Sequence, residues 1–208
     1  MEVGKSNIFK VLDGTIQFII PVYQRAYSWN IENCAQLWRD IVAMQTMNRT
    51  GHFVGSIVNI AEQTMPTGVQ KYMIIDGQQR LTTLTLLLLA LRDYAANHPD
   101  DCNMPQSKFM KCLKNVDEAD EDQYKIIPTK KDRDVLFRLI EGHPFDDLGP
   151  SKLIANYQFF LEKIAEKVLT PLQIYEATGK LQIVNITLDR QYDDPQLIFE
   201  SLNSTGVD

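Results

Sequence analysis

The sequence predicts a mixed α/β fold that carries a mostly helical insertion. Up to about residue 96, short β-rich runs alternate with segments of helical periodicity, and a further β-branched run returns at 181–188. The stretch 97–180 between them shows helical patterns and polar breaks. Because a single sheet is the most economical arrangement, we expect the last strand to join the early ones. The predicted units are a core over 1–96, an insertion over 97–180, and a returning strand, helix and turn over 181–208.

The core is predicted to hold three strands and two long helices. The β-rich run that starts at Ile16 is ended by Pro21, which cannot donate to a sheet ladder. Ser28 to Asn30 supply N-cap candidates for the first helix, and Gly55 inside a strand indicates a bulge or a close backbone approach. The second helix is so rich in leucine that we expect it to be buried on most sides. The strands are predicted at 16–20, 52–60 and 71–75, and the helices at 31–47 and 81–97.

The insertion is predicted to contain three helices joined by polar links. Thr129 with Asp132 resembles a capping box that opens the first helix, and Thr170 with Pro171 starts the third. The acidic run 117–122 is interpreted as a solvated loop. The helices are predicted at 130–140, 151–169 and 171–179, followed by a strand at 181–188, a helix at 194–202 and a polar turn at 203–206.

The charge balance argues against one broad class of function. The chain has 208 residues, with 21 Lys and Arg against 27 Asp and Glu, so its formal net charge is −6. A protein that grips nucleic acid with its whole surface needs a basic surface to contact the phosphates. Such a surface is disfavoured, while a local basic patch remains compatible with the composition.

Cysteine usage and hydropathy predict the compartment. The three cysteines, Cys34, Cys102 and Cys112, form no C-x-x-C pair, and we interpret them as free thiols in a reducing cytoplasm. The polar N-terminus shows no signal peptide. The longest apolar stretch, 84–91, is much shorter than the roughly 20 residues that span a bilayer. We therefore expect a soluble, cytoplasmic protein with no membrane partner.

The segment 21–29 places amide, guanidinium and aromatic groups between a predicted strand and a predicted helix. Arg25 suits bidentate contact with a phosphate, and an aromatic side chain can stack on a base. Equally, Tyr23, Tyr27 and Trp29 can be half-buried packing residues, with Arg25 in an ordinary ion pair. Composition alone favours neither the ligand-binding interpretation nor the packing interpretation.

The second candidate site is the junction 76–80, which joins a strand directly to the leucine-rich helix. Gly77 allows a tight turn, and the first N–H groups of the helix form an anion site. Thr82 and Thr83 add hydroxyl groups in the first turn. The segment is not a Walker motif, because it lacks G-x-x-x-x-G-K-[ST]. The purely structural alternative makes Asp76 a helix N-cap with exposed glutamines, but a run of polar or flexible residues between apolar elements favours a functional site.

Two other features are weaker on their residues alone. In the segment 199–206, Asn203 and Ser204 are able to donate to a phosphate or a ribose, but a simple helix C-cap with a glycine turn explains the same residues better. His52 is interpreted as a strand-edge histidine rather than a catalyst.

Four segments, 20–29, 52–58, 75–84 and 199–206, occur here in the order typical of one family. The chain resembles the DGQQR-motif domain found at the N-terminus of GmrSD-type, modification-dependent restriction enzymes and related phage-defence proteins. The resemblance implies a small mixed sheet similar to that of the ParB/sulfiredoxin superfamily, with a helical extension. It also implies binding and hydrolysis of a nucleoside triphosphate with a divalent metal, for which Mg²⁺ is expected. The implied partners are modified DNA, reached through the full-length protein, and an HNH-type nuclease domain in cis or in trans, with a homo-oligomer as a further expectation.

The resemblance also assigns candidate residues. Amides from Gln78 to Thr83 are expected to cradle phosphates, Arg25 and Arg80 to neutralise the charge that develops in phosphoryl transfer, and Asp76 to position a metal or water. Either Gln78 or Gln79 is expected to orient the nucleophile. The catalytic candidates are Asp76, Gln78, Gln79 and Arg80, and the binding candidates are Gln24, Arg25, Tyr27, Gly77, Thr82, Thr83, Asn203, Ser204 and Gly206.

Three functions are compatible with the sequence. The leading one is a nucleotide-hydrolysing regulatory domain of a defence system whose nuclease centre lies outside these residues, so the chain is expected to be the front part of a longer protein. The second is a module that binds nucleotide or modified DNA without turnover. A ParB-like DNA-partitioning role is weaker, because the net charge of −6 fits poorly with a DNA clamp.

Overall fold

The computed structural model describes residues 2–62, 68–102 and 104–189, and within them one six-stranded mixed sheet carries the helices. This confirms the predicted mixed α/β class; the likeness to the ParB/sulfiredoxin superfamily and the domain boundaries stay predictions. The strands are β1 (Glu2–Ser6), β2 (Ile16–Ile19), β3 (His52–Ala61), β4 (Gln70–Asp76), β5 (Ile126–Ile127) and β6 (Leu181–Leu188). The α-helices are α1 (Ile8–Val11), α2 (Ile31–Thr46), α3 (Gln78–Asn97), α4 (Gln106–Leu113), α5 (Lys130–Glu141), α6 (Lys152–Ala165) and α7 (Pro171–Lys180).

The strand order in the sheet is β1-β6-β3-β4-β2-β5. The late strand β6 joins the early sheet, as predicted, and runs parallel to β3 from the pair His52–Leu181 to the pair Ile60–Leu188. Strand β4 is antiparallel to β3 and parallel to β2. Strands β3 and β4 are therefore central: β4 leads directly into the junction that the sequence singled out, and β3 lies beside that junction.

Helix α3 is the central helix of the domain. Every residue from Leu81 to Arg92 is buried, which confirms the prediction from its leucine content. It packs against α4, α6 and α7. Ile57 and Ile74 join the same large apolar cluster, whereas Val58 and Ile75, their chain neighbours, belong to a small second cluster. Since successive strand residues point to opposite faces, α3 covers the Ile57 face of the sheet.

Several elements were not predicted. β1 has no apolar alternation and is mostly exposed, so backbone pairing with β6 at the sheet edge is what defines it. Helix α4 is only eight residues long and buries Phe109, Cys112 and Leu113 at helical spacing. Strand β5 has two residues, too few to show a periodicity.

Some helix ends also differ from the prediction. Helix α6 ends at Ala165 rather than at residue 169. Helix α7 continues through Gly179 to Lys180. The glycine there leaves room for the ring of Phe9, to which a Cβ atom would approach within 2.8 Å. The predicted capping box at Thr129 does not form, because the backbone N–H of Asp132 donates to the carbonyl oxygen of Thr129 and not to its hydroxyl. Thr129 Oγ1 instead donates to Asp132 Oδ2, which also accepts from the backbone N–H of Tyr27.

Other expectations concern single groups. The three cysteines are free and buried, as expected. The acidic run contains a 3₁₀ turn at Asp120–Gln123 and has no buried residue, which agrees with a solvated segment. None of the helices in the described part of the chain is long and apolar enough to cross a bilayer. The helix and turn predicted at 194–206 lie outside the described residues.

The β4–α3 junction depends on a glycine that lies against the backbone of β3. Gly77 has φ +88°, in the left-handed region that favours glycine. A Cβ atom at this position would lie 2.6 Å from the carbonyl oxygen of Ser56 and 3.1 Å from Cα of Ile57. The tight turn predicted at Gly77 is therefore also a point of close packing between the junction and the sheet.

This packing predicts a stability difference between two glycine substitutions. Gly77→Ala should lower the free energy of unfolding by about 2–4 kcal/mol, because a strained φ is combined with a backbone clash. Gly142→Ala is the matched control: its φ is +70° with no atom within 4 Å of the added Cβ. It should cost only about 1 kcal/mol. Urea denaturation of both variants measures the difference, and equal losses would contradict the close approach.

Candidate functional site

Helix α3 starts at the junction without a side-chain cap. Its N-cap residue is Gly77, and the first backbone hydrogen bond runs from Leu81 N to Gly77 O at 2.9 Å. The N–H groups of Gln78, Gln79 and Arg80 precede that bond, and no described residue accepts from them. Three unpaired donors at the positive end of a 20-residue helix favour binding of an anion.

The guanidinium of Arg80 is held in place by the backbone of β3. Its Nη1 donates to the carbonyl oxygen of Ser56. Gly55 lies directly against the group: its φ is +115°, and a Cβ atom would come 2.4 Å from Nη2. The register of β3 against β6 shifts between Phe53 and Gly55. The bulge and the close approach predicted at Gly55 are both present, and the approaching group is Arg80.

One nitrogen of Arg80 has no partner in the described residues. Its Nε is buried and makes no hydrogen bond. Burial lowers the pKa of the guanidinium, and the nearby Asp76 carboxylate acts in the opposite direction. Arginine stays protonated in either case. The site therefore holds a fixed positive charge with an unused donor.

The two glutamines of the motif have different surroundings. Gln79 Oε1 accepts from the backbone N–H groups of Ser28 (2.7 Å) and Trp29 (3.2 Å), and its Nε2 donates to Ala26 O (3.3 Å). The side chain of Gln78 is 8% exposed and hydrogen-bonds to none of the described residues. Gln79 thus fastens the segment 21–29 to α3, whereas Gln78 is available for a ligand.

Gln24 also forms internal hydrogen bonds. Its Nε2 donates to the carbonyl oxygens of Ile74 (2.9 Å) and Ile75 (2.8 Å) at the end of β4. Its side chain is 9% exposed. Gln24 therefore holds the start of the segment 21–29 against the last residues of β4 before the junction.

Tyr27 makes a corresponding set of contacts with the helices. Its hydroxyl lies 2.6 Å from Thr83 Oγ1 and accepts from Asn156 Nδ2 at 2.9 Å. Because Thr83 Oγ1 donates to Gln79 O, Tyr27 is the donor to Thr83. Burial strongly raises the pKa of Tyr27, so its hydroxyl keeps the proton that this bond requires. Thr83 is fully buried, and Thr82 is 2% exposed.

The remaining candidates line two separate cavities. Arg80 lines a groove of about 410 Å³ between α2 and the start of β3. Arg25, Gln78 and Thr82 line a narrow cavity that also contains Asp132. The two arginines expected to act on one phosphate group thus face different cavities, and their joint action stays a prediction. Asn203, Ser204 and Gly206 lie outside the described residues.

The groove brings in residues that the sequence did not single out together. His52 Nε2 lies 3.4 Å from Asp40 Oδ2, and their side chains are 33% and 24% exposed. Asp40 Oδ1 accepts from Gln36 Nε2 at 3.0 Å, which orients the carboxylate. His52 is the first residue of β3, as expected for a strand-edge histidine, but no sequence pattern links it to Asp40 on α2.

No cluster of three or more metal-binding side chains occurs in the described residues. Asp76 is exposed at the end of β4, one residue before the N-cap of α3. Mg²⁺ is commonly held by one or two carboxylates together with substrate phosphates and water. Asp76 is therefore better suited to hold a metal ion that binds together with a phosphate ligand than one that the protein binds alone.

This mixed α/β domain thus has an uncapped helix N-terminus with a half-buried arginine beside it, a combination that favours anions. The family model of the GmrSD restriction endonuclease N-terminal domain matches residues 8–208. The chain belongs to this family, which has a role in restriction systems. The search of curated proteins found no match.

The two neighbouring glutamines give a matched pair of substitutions. Gln79→Ala should lower the free energy of unfolding by about 2–4 kcal/mol, because it leaves two backbone N–H groups and one carbonyl unpaired. Gln78→Ala removes no hydrogen bond to a described residue and should cost less than about 1 kcal/mol. Chemical denaturation followed by circular dichroism measures both losses of free energy. A larger loss for Gln78→Ala than for Gln79→Ala would show that Gln78, and not Gln79, has the structural role.

Proposed function

We propose that this domain binds a nucleoside triphosphate at the β4–α3 junction and hydrolyses it to control the nuclease of its restriction system. The observation that carries the proposal is the placement of Arg80. Its guanidinium is fixed by Ser56 O and Gly55, keeps an unpaired Nε, and belongs to the same turn as three unpaired helix N–H groups. Together these donors form a preorganised site for a multiply charged phosphate chain.

The proposed chemistry is electrostatic. Phosphoryl transfer spreads negative charge over the transferred oxygens, so catalysis depends on positioning and on donors that are already in place. Arg80 needs little reorganisation, because the backbone of β3 holds its side chain. Of the two glutamines, Gln78 is the one whose side chain makes no hydrogen bond to a described residue, and it would position the attacking water from the cavity that it shares with Arg25. Asp76 would hold Mg²⁺, which neutralises phosphate charge when it arrives with the nucleotide.

A link to the rest of the restriction system is supported by the segment 21–29. Gln79 follows Gln78 and accepts from Ser28 and Trp29, so a shift of the first turn of α3 would move this segment. Val22 and Tyr23 of the same segment are 86% and 62% exposed. We propose that nucleotide turnover changes this surface, and that modified DNA and the nuclease are sensed and controlled through the complete protein.

The second candidate is a module that binds nucleotide without turnover. It is favoured by the internal use of Gln24, Tyr27 and Gln79. Of the motif's catalytic candidates, this leaves Asp76 and Arg80 at the junction and Gln78 in the separate cavity that it shares with Arg25. The two functions differ in one measurable quantity, the release of phosphate. Binding of nucleotide by the 208-residue chain without phosphate release would support the module.

Arg80→Ala should reduce phosphate release by at least about 100-fold, because it removes the fixed donor to the developing charge. Malachite-green assays with each of the four triphosphates and Mg²⁺ measure this rate. Arg49→Ala is the control, since Arg49 is exposed and lines neither cavity. Arg80→Lys keeps the charge but loses the fork geometry, and should recover only part of the rate. Hydrolysis at the parental rate by Arg80→Ala would place the chemistry elsewhere.

Asp76→Asn should raise the Mg²⁺ concentration needed for half-maximal hydrolysis, because a neutral amide is a weaker ligand than a carboxylate. The control is Asp100→Asn, which removes an exposed carboxylate just beyond the C-terminal end of α3. A titration of activity with Mg²⁺ at saturating nucleotide measures the shift. An unchanged midpoint would remove Asp76 from the metal site.

A further inference from the structure

We propose that the groove between α2 and β3 binds the nucleoside part of the triphosphate whose phosphates lie at the β4–α3 junction. This inference rests on the proposed function and adds to it the location and chemistry of base recognition. The groove has a volume of about 410 Å³, within the roughly 300–1,000 Å³ typical of small-molecule sites. The lining residues that bear on recognition are Trp29, Gln36, Asp40, His52, Phe53 and Arg80.

Arg80 connects the two halves of the proposed ligand. It belongs to the first turn of α3, and its guanidinium also lines the groove. Its Nε is a buried donor without a partner among the described residues, and its Nη2 lies against Gly55, which also lines the groove. A ligand with an anionic end and an uncharged ring could therefore place the anion at the N-terminus of α3 and the ring in the groove, with Arg80 in contact with both parts.

The groove offers aromatic surface on two different elements. Trp29 precedes α2 and is half-buried, and Phe53 in β3 is 58% exposed. An aromatic side chain of this size is usually covered in a folded protein. Every nucleobase has a π-face that can stack on such a side chain.

The polar side of the groove is oriented by a chain of side-chain contacts. Arg39 Nη2 donates to Gln36 Oε1, Gln36 Nε2 donates to Asp40 Oδ1, and Asp40 Oδ2 lies 3.4 Å from His52 Nε2. Asp40 remains 24% exposed, so its carboxylate keeps acceptor capacity toward a ligand. An oriented carboxylate accepts from ring and exocyclic N–H groups, which differ among the bases.

Binding measurements with two probes separate the phosphate and nucleoside contributions. Isothermal titration calorimetry with each nucleoside triphosphate and with inorganic tripolyphosphate gives Kd values for the parent and the variants. Phe53→Ala should weaken triphosphate binding by about 5- to 50-fold, because it removes a stacking surface. Tripolyphosphate binding should change by less than about 2-fold, because that probe has no base. Since Phe53 is largely exposed, this variant is expected to fold.

Asp40→Asn should alter the order of affinities among the four triphosphates, since an amide presents N–H donors where the carboxylate only accepts. Arg80→Ala should weaken the binding of both triphosphate and tripolyphosphate, and Arg49→Ala should weaken the binding of neither.

Three outcomes would overturn this inference. If Phe53→Ala and Asp40→Asn bind all four triphosphates like the parent while Arg80→Ala loses this binding, the groove is not the base site and the proposed function stands. If the parent binds no triphosphate, both proposals fail. Binding of a single-stranded oligonucleotide in place of free nucleotide, lost in Phe53→Ala, would also overturn this inference.

Discussion

The close packing of β3 against the β4–α3 junction is the constraint on which the rest of the site depends. The carbonyl oxygen of Ser56 lies where a side chain at Gly77 would begin, and the same oxygen accepts from Arg80. Gly55 leaves room for the guanidinium. Two glycines with positive φ thus allow β3 and the β4–α3 junction to meet around one charged group. A side chain at either glycine would move the arginine or the strand.

The motif residues divide into those that build the site and those that are exposed to a ligand. Gln24, Tyr27 and Gln79 hydrogen-bond to the protein itself and hold the segment 21–29 in place. Helices α5 and α6 contribute to the same task, since Asp132 of α5 accepts from the backbone of Tyr27 and Asn156 of α6 donates to its hydroxyl. Both helices are therefore part of the framework of the site.

Periodicity predicted most elements, because the long strands and helices bury one face or both and show it in their apolar spacing. Gly55 and Gly77 were also identified from local chemistry alone. The element β1 escaped prediction because its pairing with β6 determines it. The different roles of Gln78 and Gln79 were not predictable, since adjacent residues on a helix point about 100° apart and only tertiary packing decides which one meets the segment 21–29. The Asp40–His52 contact joins two elements with no pattern in common.

The position of β6 affects the order in which the parts of the domain assemble. Asn59 of β3 donates to Asn185 of β6 across 126 residues of chain, and β6 is the parallel neighbour that continues past the Gly55 bulge. Parallel pairing over such a separation forms slowly, because the loop must close before the contacts stabilise it. During synthesis from the N-terminus, β3 lacks this neighbour until nearly the whole domain has left the ribosome. The arginine site is thus among the last parts to assemble, and an incomplete chain would carry the motif without the geometry that makes it work.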